Sequence, residues 1–195
     1  MRREFHVRFC EGVGVQFPRA TRLVILCREG TGEEAMAKMR RVMSKLGLTV
    51  NEKKTRLVQL PEERFDFLGY TVGCFYGFRG RPYWGTTPSM KSIKRLRERI
   101  HDETTTRWHA TTPEKRVEEL NPMLRGWANY FNQGPVREVY RRLDDYTARR
   151  LRIWLRRRSG KRGTGYRQYS DQYLYEKLGL IRLLPLARGR SNATA

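Results

Sequence analysis

Apolar positions change their period partway along the chain, and that change divides it. Leu23 to Arg28 (LVILCR) is a short, nearly unbroken apolar run, the mark of a buried strand. A helix follows. Thr31 and Glu34 have capping-box spacing, Met36, Met39, Met43 and Leu46 share one face, and Gly47 supplies the stop. Leu48–Leu60 and Phe65–Phe75 have strand character, and Gly77–Gly80 reads as a turn into a second arm, Arg81–Thr86. The first 87 residues therefore predict β-α-β-β-β.

From Pro88-Ser89 onward the period is helical. A first helix is predicted over about Lys91–Thr104. A second starts near Pro113, a residue suited to the first helical position, and runs to about Asn132, where Gly134-Pro135 breaks it. The third runs from Val136 to about Arg158, with Val136, Tyr140, Leu143, Thr147, Leu151 and Trp154 at helical spacing. Ser159-Gly160 ends it. A linker rich in Gly, Arg and Tyr follows, then a short helix near Asp171–Leu178. The pattern predicts an α+β fold: a small β-rich unit over 1–87, a helical unit over 88–185, and a disordered tail over 186–195.

Charge narrows the function. The chain has 195 residues, with 41 Lys+Arg against 20 Asp+Glu, a formal charge of +21. Residues 1–90 carry net +7 and residues 91–195 carry net +14. An 11% aromatic share argues for a folded protein, so the charge sits on a structured surface. Polyanion binding is the commonest cause of such an excess, since each cation near a phosphate displaces counterions. An anionic membrane surface is the main rival. No run of about 18 apolar residues is present to span a membrane. Met1 to Phe9 has no apolar region of a secretory signal. Cys10, Cys27 and Cys74 are far apart with no CxxC pair, which argues against a disulfide framework and a structural zinc site. A cytoplasmic location is the expectation.

Three stretches carry a family resemblance. GLTVNEKKT (Gly47–Thr55), RFDFLGY (Arg64–Tyr70) and LRGWANYF (Leu124–Phe131), in that order, resemble a group II intron reverse transcriptase/maturase. The resemblance runs from about Leu23 to Leu184 and implies that the first two stretches close the polymerase palm. The third belongs to the maturase-specific thumb, or domain X. Residues 1–22 match nothing in the family. The chain then reads as a truncated or frame-disrupted copy, a palm remnant followed by the thumb.

One departure is chemically decisive. The resemblance implies a Tyr-Ala-Asp-Asp turn just before Leu23, and the four positions here read Arg19-Ala20-Thr21-Arg22. Two-metal nucleotidyl transfer needs clustered carboxylates to hold Mg²⁺. Thr21 and Arg22 replace the expected Asp pair, so no catalytic residue, metal site or cofactor is expected. Mg²⁺ belongs only to an intact family member.

The binding candidates are of two kinds. Phe67, Leu68, Gly69 and Tyr70 resemble a primer grip, and strict alternation would put Phe65, Phe67 and Gly69 on one face and Asp66, Leu68 and Tyr70 on the other. A hairpin core explains much of the same pattern. Lys54 sits where such polymerases place a lysine near pyrophosphate, a role with no purpose without metals. The stronger signal is Arg149, Arg150, Arg152, Arg156, Arg157, Arg158, Lys161 and Arg162, because no acid occurs between Asp145 and Asp171. Arg forks suit phosphate and stacked bases. Arg125 and Asn129 lie off the Leu124, Trp127, Phe131 core face and join the RNA-binding set. Tyr166, Tyr169, Tyr173 and Tyr175 suit base stacking and terminal-helix packing equally.

The resulting expectation is binding of group II intron RNA, assisting its folding and splicing. Two alternatives stand beside it: RNA-directed DNA polymerase activity with a separately encoded N-terminal half, and a pseudogene product with no selected role.

Overall fold

The structure, a computed structural model, describes residues 5–11, 13–14, 22–77, 79–105, 111–160, 162–163 and 165–186, and of 5–14 and 22 the backbone alone. The chain forms two compact units, 1–86 and 87–195. The fold is α+β.

In the first unit, strand β1 (Phe5–Glu11) lies between β3 (Arg22–Arg28) and β5 (Thr55–Gln59) and is antiparallel to both. Val7 pairs with Leu26 on one side and Val58 on the other. The predicted β-α-β-β-β order starts only at Leu23 and omits this strand, although Phe5, Val7 and Phe9 alternate with His6 and Arg8 at period two. A short strand β2 (Val13–Gly14) pairs with β4 (Thr49–Val50). Strands β6 (Phe65–Phe67), β7 (Tyr70–Tyr76) and β8 (Pro82–Pro88) form a separate sheet in that order.

Helix α1 (Gly32–Lys45) buries Met36 and Met39 against Leu23, Ile25, Met43 and Val50. Two expectations fail at its ends. Thr31 is not in the extended conformation that a side-chain cap needs, and its hydroxyl instead donates back to Arg28 O at 2.8 Å. Glu34 pairs with Lys38 at 2.8 Å, so there is no capping box. Leu46 falls past the last turn and is 64% exposed.

The expected strand over Leu48–Leu60 is also broken. The polar Asn51–Lys54 run forms a 3₁₀ turn over Glu52–Lys54, fastened to α1 by an Arg40–Glu52 fork at 3.0 and 2.8 Å. Likewise Phe65–Phe75 is not one strand. Leu68 and Gly69 take φ of 49° and 83°, a two-residue reversal that pairs Phe67 with Tyr70. The strict alternation read through this stretch therefore ends at the turn.

The second unit is helical. Ser89 caps α2 (Met90–Glu103) by accepting from Ser92 N at 3.2 Å. Thr112 caps α3 (Pro113–Tyr130) by accepting from Lys115 N at 3.3 Å. Helix α4 (Arg137–Arg158) buries the whole predicted stripe, Val136, Tyr140, Leu143, Thr147, Leu151 and Trp154. Tyr140 donates its hydroxyl to Ala128 O at 2.7 Å and Phe131 O at 3.1 Å, which joins α4 to the carbonyl end of α3.

The C-terminal segment folds back as a π-helical turn, Tyr173–Lys177, and sends Leu174, Leu178, Leu180 and Leu183 into the core. It is held by its main chain. Asn121 donates to Gly179 O at 2.9 Å and accepts from Ile181 N at 3.0 Å. Asp144 accepts from Leu183 N and Leu184 N at 2.9 and 3.2 Å. The tail expected over 186–195 lies outside the described residues from 187 onward.

The cores are unequal. Among the described residues, the second unit has one cluster of 17 buried apolar side chains, whereas the first has clusters of three and two. Each buried Leu or Val is worth roughly 1.5–3 kcal/mol, so among the described residues the helical unit holds most of the apolar burial energy.

Candidate nucleic-acid interface

The basic stretch that the sequence singled out divides into cations that are tied and cations that are free. Arg152 is only 3% exposed. Its Nε donates to Tyr169 O at 2.7 Å, its other arm pairs with Asp171, and the guanidinium lies 4.3 Å from the Tyr166 ring centre. That is a buried clamp on the C-terminal segment, and it removes Arg152 from the RNA-contact set.

Three neighbours are also occupied. Arg150 donates to Thr104 Oγ1 at 3.0 Å, Thr104 O at 3.2 Å and His101 O at 3.3 Å, where its charge meets the carbonyl end of α2. Burial, and then Arg157 and Arg149 nearby, draw its guanidinium below the ordinary Arg value. Arg156 donates to Gly163 O at 2.8 Å. Arg158 donates to Thr111 O and lies 5.8 Å from the Trp154 ring centre.

Arg157 and Arg162 are exposed and make no ion pair or hydrogen bond among the described residues. The same holds for Arg125 and Asn129, one turn apart on the outer face of α3. Arg149 is exposed and stacks 5.9 Å from the Tyr146 ring centre. Lys161 lies outside the described residues. In the first unit Leu68, 51% exposed, forms the hairpin tip, while Tyr70 is half-buried. Thr21 lies outside the described residues, and Arg22 opens β3. Among the described residues no group of three or more His, Cys, Asp or Glu is placed to hold a metal ion.

The fold assembles a groove that the sequence pattern did not reveal. It runs between α2, the middle of α4 and the C-terminal segment, with a volume of about 910 Å³. Arg97 and Arg149 both lie over the Tyr146 ring, Arg97 at 4.5 Å. Arg182 lies 3.9 Å from the centre of Tyr175. Burial first, then Asp144, pushes the Tyr175 phenol up to about 12, so it keeps its proton at neutral pH. Tyr146 and Arg149 are three apart on one helix, a local signal that was available. Arg97 and Arg182 come from distant sequence, where no local pattern points to them.

Residues 93–173 match the family described as group II intron, maturase-specific domain. No curated protein matches the chain. The helical unit, with its outward arginines, is thus a domain of intron-splicing proteins. The match covers residues 93–173 and indicates a maturase function in splicing for that domain. The buried leucines from Leu174 to Leu183 show that the folded unit extends beyond the matched residues. Among the described residues no helix is long and apolar enough to cross a membrane.

Proposed function

We propose that this chain binds group II intron RNA through the helical unit and so assists folding of the intron for splicing. The observation that carries this reading is the set of exposed arginines, Arg125, Arg149, Arg157 and Arg162, within the matched domain and without an acidic partner among the described residues. Unpaired cations repel one another in the free protein, and phosphates relieve that repulsion. The first unit is proposed to be the end of a reverse-transcriptase palm, with the Phe67–Tyr70 hairpin in the primer-grip position. Polymerase chemistry is not assigned to the chain, because Thr21 and Arg22 occupy the positions where that chemistry needs carboxylates. A separate N-terminal half would have to bring them.

The test is a titration of the full chain against a group II intron RNA at physiological salt, with an equal-length unrelated structured RNA in competition. The expected result is a preference of at least about tenfold, or about 1.4 kcal/mol, for the intron. Equal affinity would reduce the role to non-specific electrostatics, and no binding to either RNA would overturn the reading.

A further inference from the structure

We infer that the Arg/Tyr groove of the helical unit is a site for unpaired RNA nucleotides, with Tyr166 as the stacking platform for a base. The inference rests on the RNA-binding reading and names the kind of RNA this groove takes.

Tyr166 is 55% exposed, although it stands beside one of the most buried charges in the protein. Arg152 lies against it at 4.3 Å, and Arg152 is itself fixed by Tyr169 O and Asp171. No other ring partners Tyr166 among the described residues. A large aromatic ring, supported from one side by a fixed guanidinium and more than half exposed, is preorganised for a flat ligand. The support costs no free cation, because Asp171 neutralises Arg152.

The charges that remain lie along the same groove. Arg97 and Arg149 flank Tyr146, and Arg149 has no carboxylate partner among the described residues. Arg182 leans on Tyr175 and reaches Asp171 only at 3.9 Å. Aromatic faces alternating with guanidinium groups are what a single strand needs, bases on the rings and phosphates on the forks. Shape excludes the other form of RNA. A duplex offers a convex backbone and hides its base faces, so it can meet the rim of such a groove but cannot stack on Tyr166. At about 910 Å³ the groove falls at the large end of ligand-sized clefts, roughly 300–1,000 Å³.

The test measures binding of the full chain to two labelled RNAs of equal phosphate count, an unstructured single strand and a blunt duplex. Three proteins are compared: wild type, Tyr166→Ala and Tyr166→Phe. For the single strand, Tyr166→Ala is expected to lose about tenfold, the size of one base stack. Tyr166→Phe should stay within about twofold of wild type, and duplex affinity should not change in either variant. A 2-aminopurine in the single strand should be quenched on binding wild type and less so on binding Tyr166→Ala. The quench decides the matter even if a variant fails to fold, because its absence at saturation of the wild-type chain overturns the proposal. An alanine variant that binds the single strand as well as wild type overturns it too, as does an equal loss for strand and duplex. If the wild-type chain binds neither RNA, both this site and the broader RNA-binding reading fail. If it binds both but ignores Tyr166, only the site fails.

Discussion

Identical side chains a few positions apart on one helix do opposite work here, and partners decide which. Arg152 and Arg157 are both arginines on α4, yet one is sealed against Tyr169 O and Asp171 and the other stands in solvent. Arg152→Ala is expected to lower stability by about 3 kcal/mol, since it leaves a carbonyl without its donor and Asp171 without its near partner. Arg157→Ala should stay within about 0.5 kcal/mol of wild type in stability while weakening RNA binding and flattening its salt dependence. Urea midpoints and salt-dependent titrations of both variants check the contrast, and equal stability losses would refute it. The charge run was therefore legible as a basic surface, but its working members were not. What distinguishes Arg157 from Arg150, Arg152, Arg156 and Arg158 is the location of Thr104, Tyr169, Gly163 and Thr111, 7 to 47 residues away in sequence.

At the scale of elements, legibility follows the length of the periodic signal. The stripe from Val136 to Trp154 repeats over five turns, and every member is buried. Short signals fared worse. The Thr31/Glu34 pair had capping spacing but the wrong backbone, and the Leu68-Gly69 reversal was hidden because Leu, not Asn or Asp, precedes Gly69. Leu68 at positive φ is strained by about 1 kcal/mol, so the hairpin is held by its surroundings rather than by its turn residues. The C-terminal segment has a different dependence, on pH. Burial raises the Asp144 carboxyl above its ordinary value, against the pull of the Leu183 and Leu184 amides. A raised carboxyl binds its proton more tightly in the folded state, so its ionisation costs stability as pH climbs from the ordinary carboxylate value through the raised one. Asp144→Asn is free of that cost. The stability of Asp144→Asn relative to wild type should therefore rise between pH 4 and pH 7, measured by urea unfolding at each pH. A difference that is flat or falls with pH would contradict the assignment.

At the scale of the whole molecule, the two units differ too much in core to unfold together. Among the described residues, the first unit has five deeply buried apolar side chains in two clusters and the second has 17 in one. Urea unfolding followed by far-UV circular dichroism should show two transitions, with the sheet unit lost first and only the second transition moved by RNA. A single coincident transition by all probes would show that the units stabilise each other. The last segment of the helical unit is gripped by Asn121 and Asp144 through Gly179 O and the amides of Ile181, Leu183 and Leu184, and every residue but proline carries such an amide. Side-chain identity matters there at the leucines that enter the core, at Tyr173, Tyr175 and Ile181 packed against it, and at Gly179, whose φ is 72°. The match to the maturase-specific domain ends at Tyr173, whereas the docked segment continues to Leu186, held through its main chain.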